Sequence, residues 1–153
     1  MGKQAGAYYP ENGFVAGTQE QKKKMFIARA KFEKGLQPCQ LKEGHNGAQM
    51  PYGGDGKTLS NYEVLSASDA LFWKPIIVGG LPEFALQTGN EANGNALYSV
   101  KYEVSGKKYL GKYNGFDKAY FVIDHKEKEI LNGEMEILCC AESVEKKSVS
   151  IGG

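Results

Sequence analysis

Apolar and polar residues alternate in two segments of the chain. Every second residue is apolar in residues 26–32, and the same alternation recurs in residues 98–104. An alternation of period two is typical of a β-strand that buries one face, so both segments are predicted strands. Residues 119–123 are continuously apolar and β-prone, which predicts a buried strand ending at the turn that begins with Asp124. The pattern as a whole predicts an all-β protein.

The sequence also repeats itself at an offset of 72 residues. Residues 25–32 align with residues 97–104 in apolar and polar character, and Arg29 falls on Lys101. Two further blocks keep the same order: residues 15–18 align with 87–90, and, after one inserted residue, 62–65 align with 135–138. Three blocks in one order predict two copies of a structural repeat.

Each repeat is too short to bury a sheet face alone, so the two are predicted to pack as a pseudo-twofold antiparallel sheet or sandwich around one shared core. The segment between them carries the only tryptophan, Trp73, which indicates that it packs. A short helical turn from Ser68 or Asp69 would end before Pro75. The predicted division is an N-terminal segment 1–10, a first repeat 11–66, a linker 67–82, a second repeat 83–139, and a strand end with a fraying tail at 140–153.

Charge and cysteine content narrow the function classes. Nineteen basic and eighteen acidic residues give a net charge of +1, which argues against binding to nucleic acid or anionic lipid surfaces. No apolar stretch reaches the length of a membrane span or follows the N-terminus as in a secretory signal, so a cytoplasmic location is expected, with release by an unconventional route as the alternative. Cys39, Cys139 and Cys140 lack metal or redox spacing and are expected to be reduced thiols.

Catalytic patterns are weak, and no enzyme activity, metal or cofactor is expected. His45 and His125 stand outside any Ser-His-Asp or His-x-x-x-His arrangement. Residues 53–58 end in Gly-Lys-Thr, but Pro51 occupies the position where a phosphate-binding loop requires its first glycine. Two carboxylates from among Glu91, Asp117 and Asp124 could still converge as the catalytic pair of a glycosidase, although their spacing gives no reason to expect it.

Several blocks together carry a family resemblance. In the first repeat they are Val15-Ala16-Gly17, Ala28-Arg29-Ala30, Pro38, His45, Pro51-Tyr52-Gly53-Gly54 and Tyr62-Glu63-Val64-Leu65. In the second they are Gly89, Gly94-Asn95-Ala96-Leu97-Tyr98, Leu110-Gly111-Lys112 and Glu136-Ile137-Leu138, with Ile123-Asp124-His125-Lys126 in place of Pro-Tyr-Gly-Gly. Their order resembles the DM-nine repeat family, which occurs as tandem pairs in invertebrate proteins.

The resemblance implies a β-rich tandem fold and a mannose-binding lectin active in innate recognition or agglutination. It implies a sugar site built from an acidic turn residue and a lysine. In the second repeat these are Glu91, with Asn93 in the same turn, and Lys112. In the first repeat Gln19, Gln21 and Gln40 stand at the corresponding positions, which implies a weaker site.

The implied chemistry is reasonable in itself. A carboxylate and an ammonium can hold two neighbouring hydroxyls of a neutral hexose by charge-assisted hydrogen bonds. The plainer interpretation is a surface ion pair between Glu91 and Lys112. Tyr98, Tyr113 and Tyr120 offer rings for a sugar face, although the alternation assigns Tyr98 to the core. Such a site is weak alone, so a homodimer would supply avidity.

An adaptor function is the alternative. The basic run at residues 22–24 replaces the turn residues that the family has in the first repeat. An intracellular adaptor or stress-responsive scaffold would use the altered repeat to bind a protein or lipid partner without any sugar. The simplest interpretation of the run is a solvated turn.

Overall fold

The computed structural model describes residues 10–19 and 22–141, and the regular structure within them consists of β-strands. None of the described residues forms a helix long and apolar enough to cross a membrane. The strands are β1 (Val15–Thr18), β2 (Lys24–Phe32), β3 (Gly35–Lys42), β4 (Ala48–Tyr52), β5 (Asp55–Leu59), β6 (Glu63–Val64), β7 (Leu71–Ile77), β8 (Gln87–Asn90), β9 (Ala96–Val104), β10 (Lys107–Tyr113), β11 (Ala119–Ile123), β12 (Lys126–Ile130) and β13 (Glu134–Cys140). The all-β prediction is confirmed.

The strand pairing of the first repeat recurs in the second. The pairs β1–β2, β2–β3, β4–β5 and β2–β6 correspond to β8–β9, β9–β10, β11–β12 and β9–β13. An irregularity of register between Val15 and Gly17 recurs between Gln87 and Gly89. Both copies place a glycine at the irregularity, where a missing side chain lets the backbone bulge. The tandem repeat is therefore confirmed in structural detail.

The two repeats belong to one sheet, with the strand order β1-β2-β3-β4-β5-β12-β11-β10-β9-β13-β7. Strand β5 of the first repeat pairs with β12 of the second at Asp55 and Lys126. Strand β8 of the second repeat also pairs with β3 of the first, at Asn90 and Leu36. Side chains of β3 and β10 consequently face each other across the junction of the repeats.

Three apolar clusters hold the fold. One consists of first-repeat residues around Phe26 and Tyr62, and a second consists of second-repeat residues around Phe121 and Ile137. The third combines residues of both repeats, namely Ala16, Met25, Ile27, Leu110 and Leu138. The predicted shared core exists, and each repeat has a cluster of its own beside it.

Ile27 shows why both faces of β2 are buried over residues 25–28. The alternation assigned it to the polar face, yet it is only 2% exposed. The face opposite Phe26 packs against the second repeat, so an apolar side chain is buried there as well. Burial of a full-length aliphatic side chain contributes about 1.5–3 kcal/mol to stability.

The segment predicted as a linker contains strand β7. A single turn closes with a hydrogen bond of 3.2 Å from Leu71 N–H to the Ser68 carbonyl, and the chain then pairs with β13 from Leu71 to Ile77. The helical turn considered for this segment does not extend, because β13 offers a free edge to the β-prone residues around Trp73. Trp73 packs against Phe14, with ring centroids 6.4 Å apart. The tail expected to fray lies outside the described residues from residue 142 onward.

Equivalent hairpin turns in the two repeats use different residues. The β2–β3 turn places Glu33 and Lys34 at φ values of 48° and 70°, and the β9–β10 turn places Ser105 and Gly106 at 50° and 82°. Two positive φ values in a two-residue turn match the right-handed twist of the flanking strands. Lys34 therefore occupies a position for which glycine is better suited.

Candidate functional site

Lys112 lies at the junction of the two repeats, where β10 faces β3. Its side chain is almost fully buried, and the residue is 4% exposed. Nζ donates a hydrogen bond of 2.6 Å to Oε1 of Gln37, and Nε2 of Gln37 donates one of 3.0 Å to Oε1 of Glu91. The structure thus connects Glu91 and Lys112 through an amide of the first repeat.

Two tyrosine rings flank the Lys112 ammonium. Nζ lies 5.2 Å from the ring centroid of Tyr52 and 5.5 Å from that of Tyr120. The Tyr52 hydroxyl donates a hydrogen bond of 3.1 Å to Oε1 of Glu33, which orients the ring. A cation within about 6 Å of a ring face is attracted by its quadrupole. We call this group of Lys112, Gln37, Glu91, Tyr52 and Tyr120 the Lys112 site.

Burial and charge act in opposite directions on Lys112. Burial lowers the pKa of its ammonium, while the carboxylates of Glu91 and Glu127 raise it. The hydrogen bond to Glu33, followed by the charge of that carboxylate, raises the pKa of Tyr52. The site therefore holds one cation among acceptors and rings, an arrangement suited to a neutral ligand with many hydroxyls.

The turn after β8 holds Glu91 in place. Its N–H donates to the Asn95 carbonyl at 2.8 Å, and its own carbonyl accepts from Gly94 N–H at 2.9 Å. Oδ1 of Asn93 accepts from Asn95 N–H at 2.9 Å. The structure thus assigns the predicted site residue Asn93 to the shape of the turn, while the Glu91 carboxylate points to Gln37.

The corresponding position in the first repeat is internally satisfied. Gln40 is 2% exposed; its Oε1 accepts from Leu110 N–H at 2.7 Å, and its Nε2 donates to Gln49 at 3.1 Å. Oε1 of Gln19 accepts from Lys42 Nζ at 3.0 Å, and its Nε2 donates to the Lys108 carbonyl. Gln21 lies outside the described residues. In the described part, these glutamines tie the repeats together.

The strand registers extend this correspondence to a third position. Ala48 and Ala119 open the equivalent strands β4 and β11, so Gln49 corresponds to Tyr120. Glu91, Lys112 and Tyr120 of the Lys112 site thus correspond to three glutamines of the first repeat, Gln19, Gln40 and Gln49. The first repeat therefore lacks the charged groups and the ring at these three positions.

The other tyrosines considered for stacking are placed in the core. Tyr113 is fully buried, and its hydroxyl accepts from Gly79 N–H at 2.9 Å and donates to the Gly80 carbonyl at 2.6 Å. Tyr98 packs against the second-repeat cluster. Only Tyr120 of the three borders Lys112 among the described contacts.

Two site residues were missed by the repeat alignment. Gln37 and Tyr52 belong to the first repeat by sequence but face the lysine of the second. The equivalent residues of the second repeat are Tyr109 and Ile123, which differ from Gln37 and Tyr52 and so indicate no shared role. Tyr52 does fall within the Pro-Tyr-Gly-Gly block of the family resemblance, which was the available signal.

Histidines and cysteines are placed away from any recognisable catalytic or metal arrangement. Burial, followed by the charges of Lys42, Lys23 and His125, lowers the pKa of His45. The three cysteines are buried and form no disulfide bond, and burial raises the pKa of Cys39 to about 12. Within the described residues no three histidine, cysteine or carboxylate side chains are grouped as metal ligands.

Fold and site together define a tandem β-repeat module with a polar, aromatic-flanked site at the junction of its repeats. The family model described as the DM9 repeat matches residues 3–58 and 19–132. The chain belongs to the DM9 repeat family. No curated protein matches the sequence.

A solved structure supports the fold. The crystal structure of the nematode sperm cell motility protein MFP2B is similar to this chain with a TM-score of 0.63 and 16% sequence identity. The match covers 92% of this chain and 44% of that chain, so this protein spans less than half the length of its structural neighbour. At this identity the likeness establishes a common fold.

Proposed function

We propose that this protein is a non-catalytic lectin that binds mannose or mannose-type glycans at the Lys112 site. The observation that carries the proposal is the chain of hydrogen bonds from Lys112 through Gln37 to Glu91, flanked by two tyrosine rings. Family membership supports the proposal, because the resemblance to the DM-nine repeat family implies a mannose-binding activity like that of its characterised members.

The group chemistry fits a hexose. The ammonium donates and the Glu91 carboxylate accepts, so adjacent hydroxyls can satisfy both at once. The rings of Tyr52 and Tyr120 offer apolar surface to the C–H face of a sugar. Each hydrogen bond contributes roughly 0.5–1.5 kcal/mol against competing water, so a single site binds weakly.

We expect one glycan site per chain, because the glutamines at the corresponding position of the first repeat are already hydrogen-bonded within the protein. The Gln40 amide is buried with both its groups in hydrogen bonds, and Gln19 is held by Lys42 and by the β10 backbone. A sugar would have to break these bonds and would gain only neutral amide partners there, whereas Lys112 and Glu91 offer charge-assisted hydrogen bonds. Agglutination would therefore require at least two chains, and a homodimer is the simplest such assembly.

The non-catalytic assignment rests on how the reactive groups are held. Hydrolysis of a glycoside needs one carboxyl group to donate a proton and a second to act as base or nucleophile. In the Lys112 site Glu91 accepts a hydrogen bond from Gln37, and Glu33, next to the site, accepts one from Tyr52. The Cys39 thiol, with a pKa of about 12, is a poor nucleophile at neutral pH.

The test is a titration of mannose, with galactose as the control sugar, followed by backbone amide shifts. Mannose is expected to shift residues around Glu91, Lys112 and Tyr52. Lys112→Met keeps the length of the buried side chain and removes its charge, so it should abolish the response. Gln40→Met removes a polar group of similar burial at the equivalent position and should leave it intact. A response in Lys112→Met, or none in the wild type, contradicts the proposal.

The second candidate is a protein-binding adaptor. The structural neighbour MFP2B is described as a sperm cell motility protein, a description that names no sugar. An adaptor of this fold would give no mannose response in the same titration. The two functions are therefore separated by one experiment.

A further inference from the structure

A groove lies where β2, β6 and residues 86–88 meet. Strand β6 pairs with β2, and no other described strand pairs with it. A cavity of about 180 Å³ lies beside it. Its lining includes the apolar side chains of Ile27, Val64, Leu65 and Leu86, together with the polar residues Arg29, Glu63 and Thr88.

The equivalent place in the second repeat is filled by β7. Strand β13, the counterpart of β6, is paired with β9 on one side and with β7 on the other. The ring centroid of Trp73 in β7 lies 4.3 Å from Nζ of Lys101, and the ring packs against Phe14. Lys101 Nζ also donates to the Ala16 carbonyl at 2.8 Å.

The residues that surround Trp73 have counterparts in the groove along β6. Arg29, Leu86 and Thr88 stand 72 residues from Lys101, Phe14 and Ala16, and all three line the cavity. Nε of Arg29 lies 2.9 Å from Oε1 of Glu63, as Lys101 Nζ lies 3.8 Å from Oε1 of Glu136. The cation, the apolar wall and the strand edge are all repeated, while the aromatic strand is present in one repeat of the described structure.

The sequence of the edges also favours β6. Strand β7, the last strand of the sheet, contains Lys74 and Pro75, residue types that oppose the addition of a further strand. Residues 61–65 contain no proline and no lysine. An incoming strand would therefore pair more readily with β6.

We propose that this groove binds an extended segment of a partner protein, which adds a strand to β6 and places an aromatic side chain against Arg29 and Leu86. Main-chain hydrogen bonds would supply affinity, and the aromatic side chain would supply specificity. Arg29 is held by Glu63 at Nε, which leaves the flat face of its guanidinium for the ring. Strand β7 is the model for the chemistry of the partner.

The probe is a fluorescein-labelled peptide with the sequence of residues 69–78, added to the full chain and followed by fluorescence anisotropy. We expect saturable binding, with amide shifts at Val64, Leu65 and Leu86. The same peptide carrying Trp73→Ala should bind at least tenfold more weakly. Shifts at Ile137 and Leu138 instead would mean that the peptide displaces β7, and would overturn the proposal.

Two protein variants complete the test. Arg29→Ala should weaken peptide binding about fivefold, because it removes the cation over the ring. Lys31→Ala removes a cation from the same exposed face of β2, beyond the groove, and should have no effect. Equal affinity of both variants for the peptide, or no binding by the wild type, refutes the docking site. The mannose response of Arg29→Ala should match wild type, so this result is independent of the lectin proposal.

Discussion

The ammonium of Lys112 is the group on which the proposed chemistry depends. Burial of a charge is costly unless it is paired and hydrogen-bonded. Here Gln37 accepts a hydrogen bond, and the carboxylates of Glu91 and Glu127 favour the charged form. Burial is nevertheless the larger influence, so the pKa of Lys112 lies below its ordinary value of 10.5. The same side chain is thus a proposed sugar ligand and a cost to folding.

The lowered pKa predicts how mannose binding depends on pH. As pH rises through the pKa of Lys112, below 10.5, the ammonium loses its proton and affinity for mannose should fall. Titrations at increasing pH, with circular dichroism to confirm the fold, measure this effect. Affinity that stays constant up to the ordinary pKa of lysine would show that the charge is not used.

The same shift has a consequence for stability. Because the folded-state pKa of Lys112 is lower than the unfolded one, folding penalises the charged form at neutral pH. That penalty disappears as pH rises from the folded value toward 10.5, so this residue's contribution to stability should improve over that window. Urea unfolding at several pH values in this window measures the difference in unfolding free energy between wild type and Lys112→Met. If the ammonium is the cause, wild type should gain stability relative to Lys112→Met as pH rises.

At the scale of the elements, the hairpin turns distinguish the repeats. The β2–β3 turn holds Lys34 at a φ of 70°, while the β9–β10 turn has Gly106 at 82°. Side chains meet a steric cost in this region, and glycine does not. A Cβ at Gly106 would meet no atom within 4 Å. A side chain introduced at Gly106 would therefore cost stability through backbone strain and not through crowding.

Exchanging these residues should change stability in opposite directions. Lys34→Gly is expected to stabilise the protein by about 1 kcal/mol, and Gly106→Lys to destabilise it by a similar amount. The midpoint of urea unfolding is the measurement. If both variants lost stability, contacts of Lys34 would outweigh its backbone strain.

The strands show what a sequence can predict and where it fails. Alternation identified β2 and β9, and continuous apolarity identified β11, because each pattern arises from local burial. Strand β7 was missed, since it forms only where β13 supplies a long-range partner. Gln37 was missed for a related reason: its partner Lys112 is 75 residues away, in the other repeat. Alignment of the repeats matches each residue with its own counterpart and is blind to contacts between them.

At the scale of the whole molecule, the two repeats form one unit, for which we propose a single glycan site. The β5–β12 and β3–β8 pairs cross between them, and one apolar cluster has members from both. Calorimetric titration with mannose should give one site per chain. Shifts at Gln40 and Gln49 comparable to those at Lys112 would reveal a second working site instead.

The position of Gln37 and Tyr52 in the first repeat also bears on how such a duplicated chain can diverge. After duplication, either copy is free to change at the positions of the lysine and the acid, and the first repeat has glutamine at both. If the proposed sugar site is used, that copy still cannot change freely, because its Gln37 and Tyr52 contact the lysine of the second repeat. Selection for sugar binding would then preserve residues of a repeat that has no sugar site of its own. A residue-by-residue comparison of the two copies would wrongly class those residues as having no function.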